Sequence, residues 1–220
     1  MAKHKLQRFA ENETFGNLFQ HTSYDRVDPQ FPLRGKWRTD YFHNDNPIVL
    51  ELGCGKGDYT LALARRNPNV NYIGIDRKGA RLWRGCKDAL EENLSNVAFL
   101  RITIDNIAQY FAENEVDEIW VTFPDPQVRH ERRRLVSPRF VGYYRQVLKE
   151  GSGILNLKTD SRELYSYVVE VSPEQGWEIM ENVENVYEQP CDAILTEVQT
   201  FYERMWIAEG RTISYLKLHI

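Results

Sequence analysis

The stretch Ile48-Val49-Leu50-Glu51-Leu52-Gly53-Cys54-Gly55-Lys56-Gly57-Asp58 restricts the fold of this chain more than any other. An apolar run meets an acid, three glycines then alternate with other residues, and a helical pattern follows. The order reads as a buried strand, a tight turn and a helix. Glycines at 53, 55 and 57 permit dihedrals that a side chain forbids and let a ligand lie against the backbone. The helix start offers unpaired amide hydrogens. A nucleotide-like cofactor fits such a turn, although short glycine-rich turns are also ordinary loops.

The same alternation recurs along the chain. Pro47 to Leu52 forms the first strand, and Tyr59 to Arg66 the helix that Asn67-Pro68 stops. Val70 to Ile75 is a second strand ending at Asp76, followed by a helix from Gly79 to Asn93. Val97 to Ile104 is a third, ending at Asp105, with a short helix through Ile107 and Phe111. Val116 to Phe123 is a fourth, after which Pro124-Asp125-Pro126 forces the backbone out of the sheet. Ser137-Pro138 opens a helix. Gly153 to Leu157 is a fifth strand, leading through Lys158-Thr159 to Asp160. A helix from Ser161 to about Val171 follows, which Pro173 and Gly176 break. Trp177 to Tyr187 is a sixth strand, Glu188 to Gln199 a polar connector, Thr200 to Gly210 a helix, and Arg211 to His219 a final strand. This predicts an α/β fold: a doubly wound, Rossmann-like sheet of seven mostly parallel strands with the last one antiparallel.

Residues 47–220 form the predicted domain. Residues 1–46 read as an extension that packs on it through Phe9, Phe15, Phe19, Tyr24, Phe31, Trp37, Tyr41 and Phe42. Its basic start at Lys3, Lys5 and Arg8 reads as a mobile lead rather than a polyanion contact, because the charges are few. Three scattered cysteines, Cys54, Cys86 and Cys191, point to a reduced, cytoplasmic protein without structural zinc. The histidines, His4, His21, His43, His130 and His219, show no metal spacing. No stretch has the length needed to cross a bilayer.

The net charge of -4 hides an uneven distribution. Between Arg129 and Lys149 seven Lys and Arg stand against the single acid Glu131, whereas Glu163 to Glu197 carries nine acids and no Lys or Arg. A basic patch on an acidic body suits the phosphates of a folded RNA, and a solvated helix-entry loop is the plainer alternative.

Glu51, Asp76, Asp105, Asp125 and Asp160 fall at or just past the carboxyl ends of strands one to five, the edge where open α/β sheets bind ligands. Any one of them could be a turn residue or cap. Clustered carboxylates repel anions, so the ligand should bring hydroxyls, amines or positive charge. The G-x-G-x-G spacing with Glu51 beside it suits a dinucleotide poorly, although Asp76 could hold a ribose in either case. S-adenosylmethionine carries an ammonium, a sulfonium and a ribose diol, with no phosphate, and matches an acidic rim.

With these residues in view, the chain resembles the tRNA (guanine-N7)-methyltransferases of the class I S-adenosylmethionine-dependent fold. The resemblance is carried by Glu51-Leu52-Gly53-Cys54-Gly55-Lys56-Gly57, Gly74-Ile75-Asp76, Phe123-Pro124-Asp125-Pro126 with the arginines after it, Thr159-Asp160, and Thr200-x-x-Glu203. It implies methyl transfer from S-adenosylmethionine to N7 of a guanine in the variable loop of tRNA, position 46 in the family, by a cytoplasmic monomer or homodimer. Glu51, Asp76, Asp105 and Asp125, with Gly53, Gly55 and Gly57, would form the cofactor site. Asp125 would also be catalytic, and Asp160 with Thr200, Phe201, Tyr202 and Glu203 would hold the guanosine. Family members commonly carry a tryptophan and lysines after the Pro that follows this Asp, where this chain has Gln127-Val128-Arg129-His130-Glu131-Arg132-Arg133-Arg134. Arg129 is the nearest counterpart of the family's substrate lysine, across a change that alters contact geometry.

Guanine N7 has an available lone pair, so attack on a methyl needs alignment rather than a base. Asp125 is therefore assigned to orientation and electrostatics. Thr200-x-x-Glu203 is equally a capping box, and both roles can coexist if the capped turn faces the site. Three alternatives remain: an S-adenosylmethionine-dependent enzyme acting on an exocyclic amine of another RNA base, an NAD-dependent oxidoreductase, and an RNA-binding module with a vestigial cofactor site.

Overall fold

Near-continuous apolar runs give each central strand two buried faces, and the chain lays helices on both. The computed structural model describes residues 2–20, 31–151 and 153–220, the first four by their backbone alone. Strands β2 (Ile48–Leu52), β3 (Asn71–Ile75), β4 (Val97–Arg101), β5 (Glu118–Thr122) and β6 (Ile154–Thr159) are parallel. Strand β8 (Ser214–His219) runs antiparallel between β6 and β7 (Glu178–Val183). With β1 (Leu18–Gln20) at one edge, the order β1-β4-β3-β2-β5-β6-β8-β7 reverses direction at β2, and the crevice of such a sheet opens at that reversal.

On one face, Leu50, Ile73, Val121 and Leu157 pack with Phe140 and Tyr144 of α4 (Pro138–Tyr144) and Leu164 and Val168 of α5 (Arg162–Gln175). On the other, Val49, Tyr72, Phe99 and Trp120 meet Tyr59 and Leu63 of α2 (Asp58–Arg66) and Leu82 and Cys86 of α3 (Gly79–Glu91). Phe99 is the post of this second layer. A Cβ on Gly57, Gly74 or Gly85 would come within 2.7 to 2.8 Å of its ring. Three missing side chains thus let the glycine turn, β3 and α3 close on one aromatic.

The sheet has eight strands where the sequence predicts seven. The extra one is β1 (Leu18–Gln20), which pairs in parallel with β4. Three residues are too few to show a period, and their partner lies some eighty positions away. The basic start forms a helix, α1 (Ala2–Asn12), that the sequence pattern did not show. Glu11 accepts from Trp83 Nε1, the Arg8 guanidinium stands 4.8 Å from the Trp83 ring, and Asn12 donates to the Gly79 carbonyl. Trp37 is fully enclosed, stacked on Phe111 at 5.6 Å. Tyr24 of the predicted aromatic set, like His21, lies outside the described residues.

Boundaries also shift. β4 stops at Arg101, and Asp105 falls in a short turn of helix over Ile104–Gln109. Pro173 does not end α5, which closes at Gly176 with φ +67°. The expected connector contains α6 (Ile194–Glu197), ahead of α7 (Phe201–Ala208).

Candidate active site

At the carboxyl ends of the parallel strands lies a cleft of about 1000 Å³ lined by Asp76, Asp105, Asp125 and Asp160. A smaller pocket of about 150 Å³, lined by Glu51 and Gly55, adjoins it, and Gly53, Arg81, Phe123, Tyr202 and Trp206 wall both. Four of the five strand-end acids therefore share one cleft, with the fifth next door.

The glycine turn is fixed from β3. Gly53 N donates to the Ile75 carbonyl, and Asp76 takes Gly55 N–H on one carboxylate oxygen and Lys78 N–H on the other. Gly55 has φ +60° and no atom within 4 Å of where a Cβ would stand, so its bare face looks into the pocket. Gly57, at φ +78°, is buried against Phe99 and serves packing.

Glu51 is enclosed at the end of β2. Its carboxylate accepts from the Thr60 hydroxyl and amide and from the Thr122 hydroxyl, at 2.5 to 2.8 Å. Burial pushes its pKa up to about 7 against the pull of those donors. Asp58 nearby adds to the rise.

Past β5 the chain turns sharply. Phe123 and Gln127 have φ +48° and +46°, a region unfavourable to side-chain-bearing residues, and they bracket Pro124-Asp125-Pro126. Exposed Asp125 accepts from the Gln127 amide at 3.0 Å. Arg134 holds the turn from behind: its Nε donates to the Pro126 carbonyl, its Nη2 reaches Glu163 at 2.6 Å, and its guanidinium lies 4.3 Å from the Tyr167 ring. Arg134 is 2 % exposed, which removes it from the predicted basic patch. Arg133 and Arg139 line the cleft, whereas Arg129 is exposed outside both pocket walls.

Asp105 is paired with Arg139 at 2.8 Å and Asp160 with Arg211 at 2.9 Å. Across from the glycine turn, Thr200, Phe201 and Tyr202 line the smaller pocket. The capping box forms: Thr200 Oγ1 accepts from Glu203 N, and Glu203 Oε2 from Thr200 N. Glu203 itself points inward, with its carboxylate on Lys158 and the Tyr187 hydroxyl. Burial lowers the Lys158 pKa, opposed by Glu203. Sequence reasoning passed over Lys158, Trp206 and Arg211. Only Trp206 had a local signal, because it stands four residues after Tyr202 on one helix face.

A family model described as putative methyltransferase matches residues 45–216. A tRNA (guanine-N(7)-)-methyltransferase of Christiangramia forsetii is 48 % identical over 222 residues, covering 100 % of this chain and 99 % of its own length. The chain belongs to the tRNA (guanine-N(7)-)-methyltransferase family. A Porphyromonas gingivalis member is 47 % identical over 93 % of this chain and 84 % of its own. Among solved structures, the 16S rRNA methyltransferase KamB superposes with a TM-score of 0.64 at 18 % identity, covering 90 % of this chain and 94 % of that one. That likeness is one of fold.

The family's methyl donor fits the residues present. The open face of Gly55 leaves room for a ligand against the backbone, and Glu51 and Asp76 beside it suit hydroxyls or a cationic group, while Arg77, Lys78, Arg81, Arg133, Arg139 and Arg211 share the larger cleft with the four aspartates. Among the described residues, no group of three His, Cys, Asp or Glu could hold a metal ion, and no helix is long and apolar enough to cross a membrane.

Proposed function

We propose that this cleft transfers a methyl group from S-adenosylmethionine to N7 of a guanine in the variable loop of tRNA. The observation that carries the reading is the meeting of Asp76, Asp105, Asp125 and Asp160 in one cleft beside the open glycine turn, in a chain of this family. When bound, S-adenosylmethionine supplies a methyl carbon activated by a sulfonium.

The protein's part is placement. Gly53, Gly55 and the Asp76 carboxylate hold the donor's polar groups, with Glu51 and Asp105 flanking them, while Gly57 keeps the turn closed on the core. Asp125 stands on a turn fixed by two strained residues and by Arg134, with only one of its bonds, from Gln127, made to the described chain. Its carboxylate is free to accept guanine N–H groups and to favour the positive charge that N7 methylation puts on the ring. Asp160 and the capped turn at Thr200, Phe201 and Tyr202 face the guanosine from the other side, with Arg129 near the tRNA backbone, while Glu203, turned inward onto Lys158, holds that turn in place and does not touch the base. Residues 1–46 act as an extension of the 47–220 methyltransferase domain, and the protein works in the cytoplasm as a monomer or homodimer.

The test is incubation with labelled methyl donor and unmodified tRNA, followed by mapping of the modified nucleotide. Label at N7 of the variable-loop guanine, absent when that guanine is replaced by adenine, is the expected result. Label on an exocyclic amine or elsewhere in the tRNA would overturn the reading.

A further inference from the structure

Trp206 is one of three aromatics, with Phe123 and Tyr202, in the wall shared by the smaller pocket at the glycine turn and the larger cleft of the four aspartates. It lines both spaces and is partly exposed. Its ring is held rather than loose. Tyr202 stacks on it at 5.8 Å with 26° between the planes, and Phe123 supports it at 5.1 Å. Phe123 is the residue at φ +48°, so the strained exit of β5 is what brings its ring to Trp206. The Arg211 guanidinium, itself on Asp160, stands 5.9 Å from the Trp206 ring. The ring thus already associates with a cation.

We infer that Trp206 is a catalytic residue for N7 methylation, stacking on the target guanine and stabilising by its π-electrons the positive charge that grows on the base. The inference rests on the proposed function. A base must leave its stack to meet a donor enclosed in a pocket, and an aromatic at the pocket mouth provides a surface for it. The N7 lone pair forms the new bond to the methyl carbon as the carbon–sulfur bond breaks, with that electron pair passing to sulfur. No proton moves, and the guanine becomes cationic. The attraction between a π-face and that ring is therefore weak in the substrate and strong in the transition state, the condition under which binding accelerates a step.

The experiment places tryptophan analogues bearing one, two and three fluorines at position 206 alone of the full chain, by nonsense suppression, and measures single-turnover methylation of unmodified tRNA. Fluorine withdraws π-density with little change of shape, so a packing role does not respond. The logarithm of the rate should fall steadily with fluorine number, about tenfold over the series, while the Kd for unmodified tRNA stays within about twofold. Trp206→Phe should keep much of the rate and Trp206→Leu lose about tenfold or more. In a binding assay with S-adenosylhomocysteine, the wild type should favour N7-methylated over unmodified tRNA, and Trp206→Leu should lose that preference. A flat fluorine series with an unchanged preference overturns the inference. If the wild type puts no methyl on guanine N7, the functional reading itself has failed, a distinct outcome.

Discussion

Lys158 Nζ lies 2.5 Å from Glu203 Oε1 with both side chains wholly enclosed. The ammonium also donates to the Tyr59 hydroxyl and the Leu195 carbonyl, so one buried cation ties β6, α2, α6 and the start of α7 together. The pair sets where Thr200, Phe201 and Tyr202 stand opposite the glycine turn. Removing one partner strands the other charge in the core. Lys158→Met or Glu203→Gln alone should cost about 3–5 kcal/mol of unfolding free energy, and Lys158→Met with Glu203→Leu should recover much of it. Denaturant unfolding of the three variants measures this; equal loss in all three would contradict it.

Two glycines two positions apart should behave oppositely. Gly57→Ala puts a methyl 2.7 Å from the Phe99 ring at φ +78°, so stability should drop by more than the 1–2 kcal/mol of left-handed strain alone, roughly 3 kcal/mol. Gly55→Ala meets no protein atom within 4 Å and should pay only the strain. Its methyl instead enters the donor pocket, and donor affinity should weaken about tenfold or more. Thermal melts with and without S-adenosylhomocysteine separate the two.

The arginines after Pro126 divide in the same way. Arg132 and Arg133 are exposed, whereas Arg134 is buried on Pro126, Glu163 and Tyr167. Replacing Arg132 and Arg133 by Ala should reduce the slope of log affinity for tRNA against log salt by about 1.4 to 1.8, if each meets one phosphate. Arg134→Ala should leave that slope alone and lower the melting temperature. An unchanged slope in the double variant would take those two residues off the RNA.

What could be read from the chain, and what could not, follows from the distance over which each feature is determined. The β2–turn–α2 unit is local: its period, glycines and helix stop lie within twenty residues, and the structure keeps each. The acids at strand ends were legible because strand direction alone brings them to one edge. Arg134 looks like its two neighbours in sequence, and only Glu163 and Tyr167, from a later helix, distinguish it. Glu203 could be seen as the partner of Thr200, three residues away, but not as the partner of Lys158, which depends on β6 passing under α7. β1 exists only because β4 offers an edge.

Glu51 supplies a pH dependence. Its pKa is raised by burial from 4.5 to about 7, so the folded protein holds a proton there that the unfolded chain has released between those values. The associated stability is fully present below pH 4.5 and is lost as pH rises through about 7. The loss amounts to about 3 kcal/mol for a shift of this size. Glu51→Gln, which cannot ionise, should abolish that component. In urea titrations at pH 5 and pH 8, the variant should gain on the wild type at the higher pH by about that amount, after any constant offset from altered bonds to Thr60 and Thr122. A difference between the two proteins that does not change with pH would mean that Glu51 is ionised throughout, held so by its three donors.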